Sequence, residues 1–236
     1  MTARSLFVGA LMGSAISTAA LAESRTYEVP TFDQVSVSSG ISATIEIGGA
    51  QSVIADAFNA AILERVQVDV RNGRLEVSLR WDALDWVFNF GADKGVVLHV
   101  AAPALKAAES SAGADVEVRG MSGDTLALSA SSGSNIVATD VKGGRVDLSA
   151  SSGAYLKLTG TCEHLVAAAS SGANIEAGGL ACQDVNANAS VGGHVSVRAE
   201  RSLDANASVG GSILVSGNPA TTTIDSSTGG SVSFAP

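Results

Sequence analysis

The sequence predicts an all-β protein, a parallel β-helix (solenoid) with one rung for about every 19 residues. Three observations predict it. A Ser-x-Gly corner recurs seven times, at glycine-to-glycine intervals of 20, 20, 19, 20, 18 and 19 residues. The residues flanking each corner alternate between apolar and polar, the period of a strand with one buried face. The composition is 46% hydrophobic but only 4% aromatic, so the core must be built from aliphatic and small side chains. Charged residues reach only 16%, which excludes a coiled coil or a charge-rich disordered tail. A formal charge of −9 argues against a nucleic-acid binder or a basic membrane-surface protein.

The first 22 residues read as a signal peptide. Arg4 is the positive start, residues 6–20 are apolar or small, and Ala20-Leu21-Ala22 is a small-x-small cleavage site. The apolar run is short for a membrane span, and no later stretch is apolar enough to cross a bilayer. Cleavage after Ala22 leaves 13 basic against 23 acidic residues, a charge of −10. The expected product is exported to the periplasm or cell surface of a Gram-negative bacterium. Residues 23–29 form a short lead, and residues 30–236 a single domain. Within it, residues 30–105 are irregular and residues 106–236 carry the regular rungs.

The irregular part still reads as strand. Phe32, Val35 and Val37 alternate, as do Ile41, Ala43, Ile45 and Ile47 after Gly40. Two runs, 66–70 and 75–79, flank Asn72-Gly73, a hairpin signal. Residues 58–63 suit one helical turn, and 95–100 another strand ended by Pro103. Ser38-Ser39-Gly40 resembles the later corners but stands isolated from them in sequence.

The regular rungs align on Gly113, Gly133, Gly153, Gly172, Gly192, Gly210 and Gly229. Three residues after each glycine stand Val116, Ile136, Leu156, Ile175, Val195, Ile213 and Val232; five after, the set ends with Val215 and Phe234. Before the second to sixth of these glycines run columns of Leu or Val, then Leu or Ala, then Ala alone, all expected inside. Asp147, Asn186, Asn188, Asp204 and Asn206 fall at the alternate positions and are expected to face solvent. Each unit reads as strand, corner, strand and a short return segment. Seven stacked rungs span roughly 30 Å. The serine column is expected to form a hydroxyl ladder that satisfies corner backbone groups.

The order Phe32-x-x-Val35-x-Val37, Ser39-Gly40, the pair around Asn72-Gly73, Val97-x-His99-Val100-x-x-Pro103-x-Leu105 and then serial Ser-x-Gly rungs is specific enough to compare. It resembles the putative auto-transporter adhesin, head GIN domain family of bacterial envelope proteins, over nearly all of residues 30–236. The resemblance implies a right-handed β-helix and an adhesin-like role, and brings no catalytic residues. The last corners depart from the pattern as Ser-Val-Gly-Gly and Ser-Thr-Gly-Gly.

Reactive constellations are scarce. His99, His164 and His194 occupy different columns, so no stacked metal site is expected, and no cofactor is implied. The polar column two after the glycines holds too few carboxylates for a calcium ladder. Asp184 and Asp204 are the best carboxylate pair for glycoside chemistry, but they are offset by two residues. The exposed amides and carboxylates Asn186, Asn188, Asp204 and Asn206 form the candidate binding face. Trp81, Trp86, Phe88 and Phe90 crowd one segment, read either as a plug over an open end of the β-helix or as a partner-binding loop.

The leading functional expectation is a non-enzymatic envelope protein that presents polar Ser, Asn and Asp faces to a glycan or protein. A carbohydrate-active enzyme and a self-associating scaffold are the alternatives. Cys162 and Cys182 each stand ten residues before the next corner glycine, hence on neighbouring rungs at one column. Rungs ~4.8 Å apart suit disulfide geometry, and export suits its persistence, so a Cys162–Cys182 bridge is expected.

Overall fold

The structure, a computed structural model, describes residues 23–80 and 95–235. The signal peptide and the aromatic segment with Trp81, Trp86, Phe88 and Phe90 lie outside the described residues. In chain order the N-terminal part holds β1 (Glu23–Thr26), β2 (Gln34–Val37), β3 (Ser42–Ile47), β4 (Ser52–Ala57), α1 (Ala60–Leu63), β5 (Val66–Arg71), β6 (Arg74–Leu79) and β7 (Val96–Ala102). Asn59 caps α1, its side-chain oxygen accepting from the Ile62 N–H at 3.0 Å. The Asn72-Gly73 hairpin joins antiparallel β5 and β6.

The rungs follow as β8 (Ala107–Ser110), β9 (Asp115–Arg119), β10 (Ser122–Ala130), β11 (Asn135–Ala150), β12 (Tyr155–Ala169), β13 (Asn174–Ala189), β14 (His194–Ser208), β15 (Ser212–Ser216), β16 (Thr221–Ser227) and β17 (Ser231–Phe234). The seven corners enclose about six full turns, so the count of seven rungs includes incomplete ones. Pairing from rung to rung is parallel and in register: Leu126 faces Val146, Val146 faces Leu165, and Leu165 faces Val185. The return segment is not separate from the strands. It belongs to the same long strand in β11 to β14, which turns at register shifts such as Ala138/Val141 and Ala177/Ala181.

The stack is not sequential at its start. Strands β2 and β3 lie between β6 with β7 on one side and β8 with β9 on the other. The apparently isolated Ser38-Ser39-Gly40 corner therefore heads the ladder: the Gly40 N–H donates to the Ala112 carbonyl at 3.1 Å. That N-terminal end is finished by antiparallel strands, β1 on β4 and β5 on β6. Residues 23–26, within the expected lead, are thus a paired strand.

Alternation determines the core. The inward columns Leu126/Val146/Leu165/Val185/Leu203 and Ala130/Ala150/Ala169/Ala189/Ala207 are buried. Each fully buried Leu contributes roughly 1.5–3 kcal/mol of hydrophobic stabilisation. The last rung departs from expectation. Phe234 is 48% exposed and Ile224 45%, because no further described rung covers them.

The corner chemistry differs from the expected hydroxyl ladder. Each corner glycine N–H up to Gly210 donates to the middle carbonyl of the next corner, as in Gly133 to Ser152 at 3.0 Å and Gly153 to Ser171 at 3.1 Å. Backbone satisfies backbone there; among the described residues, serine hydroxyls help only near the first corners, where Ser134 Oγ accepts from the Ser131 N–H at 3.1 Å and donates to the Ser110 carbonyl at 2.8 Å. The middle residues themselves adopt left-handed φ, from Ser132 at 54° to Val191 and Val209 at 48°. Two successive positive φ values make the corner tight, and the glycine supplies the second without steric cost. Cys162 and Cys182 face each other in register and are bridged, with Cα atoms 4.5 Å apart.

Candidate functional site

Outward residues on the strands before the corners make a lattice, one row per rung. The column eight before the corner glycine reads Arg145, His164, Asp184, Ser202, Thr221, each facing the next in register. The neighbouring column reads Asp147, Val166, Asn186, Asp204, Thr223. Between them lies a shallow groove of about 460 Å³ lined by Arg145, His164, Asp184, Asn186, Asp204 and Thr223, among others.

Asp184 is the hub of this groove. Its Oδ1 accepts from Arg201 Nε at 2.9 Å and from Ser202 Oγ at 2.6 Å. Its Oδ2 takes Arg201 Nη2 and lies 3.1 Å from His164 Nδ1. The Arg201 guanidinium first, then the Ser202 hydroxyl, hold the carboxyl well below the usual carboxylate range. Arg145 is likewise committed, to Asp147 at 2.7 and 3.0 Å.

Of the predicted binding face, Asn186 and Asp204 line this groove, while Asn188 and Asn206 lie outside its lining. Asn188 Nδ2 donates to Asn186 Oδ1 at 2.6 Å, and Asn186 Nδ2 reaches Asp204 Oδ2 at 3.5 Å. Asn206 faces Asn188 in register, one column toward the corner. Asp184 and Asp204 remain offset, since Asp184 faces Ser202 and Asp204 faces Asn186. The sequence reading missed the association of Arg145, His164, Asp184 and Ser202. The signal was present: all four stand eight residues before their own corner glycine.

The order along the column decides the chemistry. A serine nucleophile needs histidine between serine and aspartate, to take the serine proton. Here aspartate stands in the middle, so the Ser202 hydroxyl donates to a carboxylate and His164 sits two rungs from it. The other histidines lie elsewhere. His99 on β7 is 3.3 Å from Asp56, and His194 begins β14, between Asn174 and Ser212 in the column after the corners. No group of three metal-ligating side chains occurs among the described residues.

Two other depressions lie elsewhere on the described surface. One, of about 380 Å³, has Lys157, Glu176 and His194 at its rim. Its Glu176 is occupied, accepting from Tyr155 Oη at 2.6 Å with Lys157 Nζ 3.6 Å away. Burial, then the Glu176 contact, pushes the Tyr155 phenol up to about 12. The other, of about 630 Å³, lies between β1, β5 and β6. Its charges are paired, Arg71 with Asp69 at 2.7 Å, and Arg25 lies 5.1 Å from the Tyr27 ring centroid. Strand β6, which forms its wall, leads into residues outside those described.

The described residues thus form a β-helix with a polar outer lattice. The chain belongs to the putative auto-transporter adhesin, head GIN domain family, whose sequence model matches residues 31–219. No curated protein matches it. Among solved structures it is similar to a putative adhesin from Bacteroides fragilis, with TM-score 0.80, 20% identity, and 92% of this chain and 98% of that one covered. A putative lipid binding protein from Parabacteroides distasonis superposes with TM-score 0.68 at 16% identity, covering 91% and 97%. A putative adhesin from Parabacteroides merdae gives 0.67 at 15%, covering 91% and 96%. At these identities the likeness establishes the fold.

Proposed function

We propose that the chain is a non-enzymatic binding module of the bacterial envelope, displaying its polar lattice to an envelope glycan or protein. A signal peptide over residues 1–22 exports it to the periplasm or cell surface, and residues 30–236 act as one domain. The carrying observation is the in-register lattice of Asn186, Asn188, Asp204 and Asn206 beside an Asp184 already engaged by Arg201 and Ser202. Rigid backbone ladders fix these groups, so binding costs little ordering entropy. Asp184 already accepts three hydrogen bonds, two from Arg201 and one from Ser202, which weighs against its serving as the general base of a carbohydrate-active enzyme.

A lipid-binding reading, offered by one neighbour's description, calls for an apolar cavity. The interior columns here are packed Leu, Val and Ala, and the groove is open at the surface and lined mostly by polar residues such as Arg145, His164, Asp184 and Asn186. No helix among the described residues is long and apolar enough to cross a membrane. Adhesin-type relatives support binding rather than turnover.

The test is a glycan array and envelope pull-down with the wild type and an Asn186→Ala, Asn188→Ala, Asp204→Ala, Asn206→Ala variant. The wild type is expected to retain envelope material and the variant to lose it with an unchanged circular-dichroism spectrum. Equal capture by both, or turnover of a bound saccharide, would contradict the reading.

A further inference from the structure

The charges around the groove are unevenly committed. Arg145 is taken by Asp147, and Arg201 by Asp184. Asp184 already accepts from Arg201 and Ser202 and has His164 beside it. Asp204 is different. It is exposed in the groove wall, has no ion-pair partner among the described residues, and has only the long 3.5 Å contact from Asn186.

The surroundings of Asp204 define what would complement it. In its own column it stands between Asn186 and Thr223, and Ser202 and Thr221 form the adjacent column. These are hydroxyl and amide groups that both donate and accept, repeated at the ~4.8 Å spacing of stacked strands. Val166 adds one partly buried apolar position in the same column, beside Asn186. A second carboxylate, Asp225, faces Asn206 one rung on. Anions are disfavoured here, both by these carboxylates and by the overall charge of −9. The groove has one strong uncompensated acceptor, flanked by groups suited to hydroxyls.

We propose that the groove binds an amino sugar with a free ammonium group, the ammonium pairing with Asp204 and the ring hydroxyls with Asn186, Ser202 and Thr223. The proposal rests on the reading of this groove as the binding site. An ion-paired hydrogen bond to Asp204 is the strong, discriminating contact, and hydroxyl contacts along the column set orientation. N-acetylation removes the ammonium charge and leaves Asp204 unpaired against an amide. A lysine side chain shares the ammonium but presents no ring hydroxyls to the flanking Asn and Thr groups.

Calorimetric titration of the full chain with a glucosamine tetrasaccharide tests this. The parallel probes are its fully N-acetylated form, a uronic-acid oligosaccharide and a lysine-rich peptide. The glucosamine oligomer is expected to bind at least about tenfold more tightly than the acetylated one, and Asp204→Asn to remove that preference. Uronate binding is expected to be undetectable. Equal affinity for both glucosamine forms, or retention of the preference by Asp204→Asn, would overturn the ammonium assignment. If the acetylated oligomer then still bound in a manner sensitive to Asn186→Ala, the groove reading would survive that failure. Tighter binding of the lysine peptide would overturn the sugar assignment in favour of a cationic protein segment. Saccharide binding unaffected by any of these substitutions would overturn both the assignment and the groove.

Discussion

Asp184 shows how single residues on this lattice are set by their neighbours. Arg201 and Ser202 stabilise its ionised form, so its folded carboxyl titrates below the unfolded value of ~3.9. A depressed carboxyl contributes stability that is present above the unfolded value and lost as pH falls through the folded one. Arg201→Ala is expected to move the Asp184 midpoint upward, toward the ordinary carboxylate range, in a carbon-13 carboxyl titration. An unmoved midpoint would show that the guanidinium is not the cause. Column arithmetic could have joined Arg145, His164, Asp184 and Ser202, but not Arg201. The rung from Gly192 to Gly210 is only 18 residues long, and its pairing jumps from Cys182/Ala199 to Asp184/Ser202. Arg201 sits in that irregularity, where counting from a corner no longer gives a neighbour.

At the scale of elements, the corners explain a sequence departure that otherwise looks arbitrary. Early corners are followed by Ala114, Ser134, Ala154 and Ala173, while the later ones are followed by Gly193, Gly211 and Gly230. A Cβ built at Gly211 would lie 2.2 Å from the Ala189 carbonyl oxygen. The backbone of adjacent rungs comes too close for any side chain there. Gly211→Ala is therefore expected to cost more stability than Gly153→Ala. Gly153 has a φ of +71° but open space around its Cβ, so its penalty is the left-handed strain of about 1–2 kcal/mol. Thermal or urea unfolding of both variants checks the order, and a reversed ranking would contradict the close-approach argument. Periodicity made the strands, their buried columns and the Cys162–Cys182 bridge legible, because each depends only on position relative to a corner. The placement of β2 and β3 was not legible. Their corner meets one 73 residues later, and parallel stacking leaves no mark in sequence of which rung comes next.

The whole molecule is a ladder whose inward columns supply stability and whose outward columns are free to vary. That separation lets a family keep one fold while the displayed chemistry changes, and it is why the fold was easier to read than the ligand. In this chain the outward chemistry concentrates on β13, β14 and β16, where Asp184, Asn186, Asp204 and Thr223 share one groove. The most direct test of that central claim is amide hydrogen exchange of the full chain with and without an envelope glycan that it retains. The account predicts added protection in β13, β14 and β16 around residues 184–186, 202–206 and 221–225. Protection confined to the N-terminal strands β1, β5 and β6, with the groove strands unchanged, would contradict it.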